Sequence, residues 1–240
     1  MAIIHHLVNY RGMWIADQTS PGSAPATAEP RARNADRTQQ EILRAATQEF
    51  ANAGLAGARM ERIAAQAGVN KRLIYYYFES KELLFLSVLE DAYARIRDAE
   101  TQLHLDSLDP ATAVRRLVEF TWQYYLDHPE FLTLLNSENL HKARHLERSS
   151  QIEEMNSPLV QLLRNVVERG QRAGVFRDGV DPVQLYITIA SLSYFYLSNQ
   201  ATLSLVFGRD LRAPRALSER LSHMTEVVLG YLFRNEAPRD

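Results

Sequence analysis

The chain has no cysteine among its 240 residues. That absence removes disulfide frameworks and thiolate chemistry in one step. No apolar run approaches the roughly 18 to 20 residues of a membrane span, and the first residues lack the cationic start, long apolar stretch and cleavage site of a signal peptide. A soluble cytoplasmic protein with no membrane partner is the expectation. No segment alternates apolar and polar residues over a useful strand length, and no stretch repeats another. Nor is there a Ser-His-Asp set, a glycine-rich phosphate loop, a Cys/His framework or a paired E-x-x-H motif, so the sequence makes no case for an enzyme. What is present is helical periodicity. With 46% hydrophobic residues the chain holds a sizeable core in one or two domains, and the expected fold is all-α.

Net charge is also small, −2, yet it is unevenly spread. From Arg31 to Lys81 nine Lys/Arg stand against five Asp/Glu, whereas from Glu82 onward 17 stand against 22. Only the first of these regions suits a polyanion, and affinity gained there falls steeply with salt.

Within the basic region, Ile63 to Phe78 reads as two short helices around a glycine turn, which is a helix-turn-helix pattern. Ile63, Ala64 and Ala67 form the inward stripe of the first helix, and the small alanines allow a close crossing. Gly68 suits a left-handed cap, Val69 plugs the turn, and Asn70 is a good N-cap for the next helix. Lys71 and Arg72 follow in the first helical turn, where cations oppose the helix dipole. Phosphates or guanine edges meeting that end would account for them. Ile74 and Phe78 are core partners at i, i+4, whereas Tyr75, Tyr76 and Tyr77 sweep around the helix so that at least one faces out. Ser80-Lys81 reads as another helix start and a second phosphate clamp.

Thr38 to Leu89 resembles the DNA-binding domain of the tetracycline-repressor (TetR) family. The matching residues are Ile42-Leu43-x-Ala45-Ala46, Phe50, Gly54, Met60, Ile63-Ala64, Ala67-Gly68-Val69, Tyr75-x-Tyr77-Phe78 and Ser80-Lys81-x-x-Leu84. The resemblance implies Tyr75, Tyr77 and Lys81 on phosphates of a double-stranded operator, and Lys71, Arg72, Leu73 and Tyr76 near its base edges. Ala58-Arg59 departs from the Ser or Thr usual before the first helix of the motif. The N-cap hydroxyl is thereby lost, and Arg59 stands where its charge can replace the phosphate contact.

Three domains are expected: a disordered N-terminal arm over residues 1–36, with Met13 as a second candidate start; a DNA-binding domain over 37–82; and an effector-binding and dimerisation domain over 83–240. The arm is read either as a solvated linker or, through Arg31, Arg33 and Arg37, as a strap for the minor groove. Further helices are expected from Ser80 to Glu100, from Asp109-Pro110 to before His128, from Pro129 to about His145, from Ser149 to Gln171, from Asp181-Pro182 to Leu205 and from Ser218 to Phe233.

Leu185, Ile189, Leu192 and Tyr196, with Leu221 and Val228, exceed the apolar surface that one small core needs. The resemblance assigns them to a four-helix homodimer interface, which would set two recognition helices about 34 to 36 Å apart on a pseudo-palindromic operator. It also implies a small-molecule effector, for which Trp122, Tyr125, Asn139, His141, Arg144 and Tyr194 are candidate contacts. The segment from Asp127 to His141 is similar to regulators of aromatic and N-heteroaromatic catabolism, such as nicotinate-degradation repressors, and suggests an aromatic or heteroaromatic carboxylate. Glu138, His141 and His145 fall on one helix face at a spacing that suits a divalent metal. Such triplets arise readily by chance, and no cofactor is expected. The leading expectation is a repressor released by its effector; an activating or ligand-insensitive regulator and a helical interaction module without DNA function are the alternatives.

Overall fold

The computed structural model of the chain describes residues 30–233. Nine α-helices are found among them: α1 (Pro30–Gly57), α2 (Met60–Gln66), α3 (Lys71–Phe78), α4 (Lys81–Thr101), α5 (Pro110–Asp127), α6 (Pro129–Leu140), α7 (Ile152–Arg172), α8 (Pro182–Phe207) and α9 (Pro214–Leu232). An isolated bridge between Phe176 and Phe233 is the sole β-pairing of the described residues. The all-α expectation holds.

Side-chain caps explain four of the nine helix starts, those of α3, α4, α5 and α8. Asp109 accepts a hydrogen bond from the Thr112 amide at 3.0 Å, and Asp181 accepts from Val183 and Gln184 at 2.7 and 3.1 Å; a proline follows each cap, at a position that needs no donor. Ser80 caps α4 through the Leu83 amide at 3.1 Å. Three boundaries differ from expectation. Helix α1 begins at Pro30, so Arg31, Arg33 and Arg37 lie on helical backbone and the expected arm is too long; residues 1–29, with Met13, lie outside the described residues. Helix α6 stops at Leu140 because Lys142 and Ala143 both adopt φ 59°, which no right-handed helix accommodates. Helix α9 starts four residues before Ser218, at Pro214.

Two hydrophobic cores result. The smaller gathers Ile42, Ala46 and Phe50 from α1, Ile63 and Ala64 from α2, Ile74 from α3, and Leu84, Phe85, Val88 and Leu89 from α4. Leu134 of α6 completes it, and Leu146 packs alongside. The larger core takes Ile96 of α4 together with the inward faces of α5, α7, α8 and α9. The expected division at residue 82 therefore needs correction. It falls in the first turn of α4, and the first half of that helix belongs to the smaller core. Helix α4 runs unbroken from one core to the other.

Candidate functional site

Helices α2 and α3 are joined by a turn in which Gly68 has φ +66°, a conformation that costs L residues other than glycine strain. The Val69 amide donates to the Ala64 carbonyl at 3.0 Å. Asn70 then caps α3, its side chain accepting from the Leu73 amide at 2.9 Å. Ile74 points wholly inward, fixing which side of α3 faces out. That outer side carries Lys71, Arg72, Tyr75 and Tyr76, all exposed, with Tyr76 at 78% the most open tyrosine of the group. Leu73 and Tyr77 are half-buried, and Tyr77 packs its ring against the smaller core.

The predicted cations differ in their freedom. Lys71 pairs with Glu61 of α2 and lies 5.8 Å from the Tyr75 ring centroid. The Glu61 hydrogen bond holds the ammonium above its usual range, and the same bond holds the Glu61 carboxyl below its own. The Arg72 side chain makes no hydrogen bond or ion pair with another described residue. Lys81 is half-buried and donates to the Ala56 carbonyl at 3.3 Å. Arg59 is exposed at the start of α2, and its side chain forms no cap. The missing cap is supplied from elsewhere. Glu49 of α1, 5% exposed, accepts from the Arg59 amide and from Arg62 Nε, each at 2.8 Å. Sequence reading missed this carboxylate because it stands ten positions away on another helix; its signal is a glutamate one residue before the core residue Phe50.

The six candidate effector contacts do not form one site. Trp122 and Tyr125 lie in the larger core, where Trp122 meets Tyr196 edge-on at 5.7 Å and Tyr125 stacks on Phe131 at 5.8 Å. Asn139, His141 and Arg144 sit instead at the end of α6, around His145, whose ring contacts Phe85 of the smaller core at 5.2 Å. Asn139 and Arg144 are exposed. Tyr194 of α8 hydrogen-bonds Asn136 of α6.

The metal candidate is also corrected. Glu138 Oε1 accepts from the amides of His145 and Leu146 at 2.8 and 3.0 Å, and Oε2 lies 2.6 Å from His145 Nδ1. His141 Nδ1 is 2.7 Å from the Ser137 carbonyl. These atoms tie down the left-handed turn after α6, and no cluster of three or more metal-ligating side chains occurs among the described residues. The sequence spacing assumed a helix continuing to His145, and the turn at Lys142 and Ala143 breaks that face.

Four of the six expected dimer residues need a similar correction. Leu185, Ile189 and Val228 are at most 1% exposed and Tyr196 is 9% exposed, all within the chain's own larger core; Leu192 and Leu221 are half-buried against it. Buried atoms have no surface left to offer. The exposed apolar residues of these helices are Val183, Ile187 and Phe195 of α8, Leu205, Val206 and Phe207 at its end, and Val227 and Tyr231 of α9.

Deep in the larger core lies a polar group that sequence reading passed over. Arg97 of α4, 8% exposed, donates from Nη2 to the Tyr186 hydroxyl of α8 at 2.6 Å. Its Nη1 lies 2.8 Å from Oε2 of Glu100, itself 2% exposed, but out of line for a hydrogen bond. Burial outweighs the attraction of Arg97 and pushes the Glu100 carboxyl up to about 7. The available signal was an R-x-x-E pair one position along from the inward Ile96.

Comparison with known proteins fits this architecture. Residues 42–88 match the family model described as bacterial regulatory proteins, tetR family, and residues 110–228 match that of the tetracyclin repressor-like C-terminal domain. The chain is 45% identical over 204 residues to the HTH-type transcriptional repressor NicS of Pseudomonas putida, covering 85% of this chain and 96% of that protein. It is 34% identical over 181 residues to the HTH-type transcriptional repressor SCO4008 of Streptomyces coelicolor, covering 75% and 88%. Among solved structures, a TetR family transcription regulator from Marinobacter aquaeolei superposes with a TM-score of 0.65 at 20% identity, covering 85% of this chain and all of that one, which speaks for the fold.

Proposed function

Because the chain belongs to the TetR family of transcriptional regulators, a family of DNA-binding proteins and not of enzymes, we propose that it is a homodimeric repressor, working in the cytoplasm, that leaves its operator when a small molecule binds. The observation that carries this reading is the outer side of α3. Lys71, Arg72, Tyr75 and Tyr76 are exposed on the helix that the turn at Gly68 presents, and no packing need of the chain accounts for them.

In this reading α3 enters the major groove, with Arg72 and Tyr76 at base edges and Tyr75 and the amide end of α4 on phosphates. Lys71 exchanges its Glu61 partner for a phosphate or a guanine. Tyr77 and Lys81 are half-buried, so they act at the margin of the interface. Arg59 replaces the missing hydroxyl with a charge, while Glu49 holds the helix that carries it. The exposed apolar side of α8 and α9 receives a second copy, which places two α3 helices on successive turns of a pseudo-palindrome. An effector acts by binding the DNA-free conformation better than the bound one, since equal affinity would shift nothing.

A mobility-shift assay on the chain's own promoter region tests this reading. Salt-sensitive binding that disappears in the Tyr75→Ala/Lys81→Ala double variant is expected. Undiminished binding by that variant would remove the proposed surface.

A further inference from the structure

The geometry points to Arg97 as the anchor for the carboxylate of an aromatic acid held within the larger core, in place of Arg144 or His141 of the candidate effector contacts. This rests on the reading that the chain answers a small molecule, and it names the site and the chemical class. Arg144 is exposed and lies beside His145, where a ligand would gain little from desolvation. Arg97 is the opposite case. A guanidinium carries five N–H donors, yet one hydrogen bond, to Tyr186, is made; Nε and Nη1 have no hydrogen-bond acceptor, and neither Glu100 oxygen accepts a hydrogen bond. Buried polar atoms in a native core are nearly always paired, so Arg97 Nε and Glu100 Oε1, which make no hydrogen bond and stand outside the 2.8 Å contact that joins Nη1 to Oε2, need an explanation. A carboxylate delivered to the guanidinium satisfies the donors, because the fork geometry matches two oxygens at once.

The surroundings are aromatic. The Arg97 guanidinium lies 5.2 Å from the centroid of Tyr186, and Tyr93 and Tyr125 pack around Phe131, at 5.7 and 5.8 Å. Arriving with its own negative charge, the acid takes over Arg97 as partner, and Glu100 takes up a proton instead of remaining a second buried anion. The charge count of the core is then unchanged. Glu100 is disposed to do this, since burial already pushes its carboxyl up to about 7. The titratable and charged groups around it are Arg97 and Tyr93 on α4, Tyr124 and Tyr125 from α5, and Tyr186 from α8. Arg169 of α7 is committed to the carbonyls of Leu108 and Leu105, at 2.8 and 2.9 Å. The bond from Arg97 to Tyr186 joins α4 to α8, so a ligand seated there acts on both the helix that reaches the smaller core and the helix with the exposed apolar side.

The test is calorimetric and thermal-shift titration of the full chain with benzoate, phenylacetate and the isomeric pyridine-monocarboxylates, each paired with its uncharged carboxamide. The acids are expected to bind and the amides not. Arg97→Gln should weaken acid binding by at least about tenfold, whereas Arg116→Gln, an exposed arginine of α5, should not. For the wild type, affinity should fall as pH rises above about 7, because ionised Glu100 then competes for Arg97; in Glu100→Gln that dependence should vanish, which keeps the test open even if Arg97→Gln does not fold. Acids that bind Arg97→Gln as tightly as wild type, amides that match the acids, a wild type that binds none of the acids, or a pH profile unchanged in Glu100→Gln would each overturn the assignment. Parallel titration of the promoter-fragment complex separates the two readings. Release by an uncharged compound alone leaves the regulator standing and removes Arg97, whereas acid binding at Arg97 by a chain that never binds DNA does the reverse.

Discussion

Glu79 occupies a backbone conformation with φ 60° and ψ −46° between α3 and α4, a region costly for a residue with a Cβ. Glu79→Gly should therefore raise stability by about 1 kcal/mol, read as a higher denaturation midpoint at unchanged slope. The opposite is expected at Gly170, where an added Cβ would lie 2.1 Å from Phe176 Cδ2, a ring that is fully buried. Gly170→Ala should cost about 1 to 3 kcal/mol through overpacking, and a variant as stable as wild type would mean that Phe176 moves freely. Glu100 gives a pH dependence whose sign follows from its raised pKa. Stability from this group is complete below the unfolded value near 4.5 and is lost as pH rises through about 7. The advantage of Glu100→Gln over wild type should grow across that window, reaching the order of 3 kcal/mol, and then level off. Thermal melts of both proteins across the pH range measure it.

The helices show which physical signals a sequence carries. Asp109-Pro110 and Asp181-Pro182 announce α5 and α8 because cap and proline act within one turn. Gly68 and Asn70 announce the turn into α3 for the same local reason. The end of α6 was not legible, since Lys142 and Ala143 take left-handed backbone under the hold of the buried Glu138. Likewise, the cap of α2 comes from Glu49, on α1, and a tertiary contact leaves no local pattern. Candidate DNA contacts were legible because they are exposed on one short helix, while the interior site was not, because Arg97 meets Tyr186 across 89 positions of chain. At this scale Glu49→Ala should destabilise the α1–α2 junction by about 1 to 3 kcal/mol, by removing the acceptor of the Arg59 amide and the partner of Arg62. Glu61→Gln, which frees Lys71 from its ion pair, should strengthen DNA binding at low salt, and the gain should shrink as salt rises. Fluorescence anisotropy with a promoter fragment reads it directly, and no change would place Lys71 outside the interface.

For the whole molecule, the proposed dimer rests on the exposed apolar side of α8 and α9. Val183, Ile187 and Leu205 lie within about 40° of one another around α8 at 3.6 residues per turn, and all three are at least 45% exposed. Ile187→Asp combined with Phe195→Asp should give a folded monomer by sedimentation velocity and a large loss of operator affinity, since one α3 helix then reads one half-site. A variant that still sediments as a dimer would shift the interface to another surface. The residues first expected there, Leu185, Ile189 and Val228, should instead behave as core: truncation to alanine should lower thermal stability while leaving association intact in whatever fraction stays folded.

Helix α4 spans both cores without interruption, and its 21 residues measure about 30 Å at 1.5 Å per residue. It thus works as a lever arm with its fulcrum among close-packed side chains. A tilt of roughly 5° at the Arg97 end displaces the other end by about 2.6 Å for that length. That travel is comparable to a whole hydrogen-bond length, so in the proposed regulator a tilt of that size is enough to shift α3 against the groove it would read.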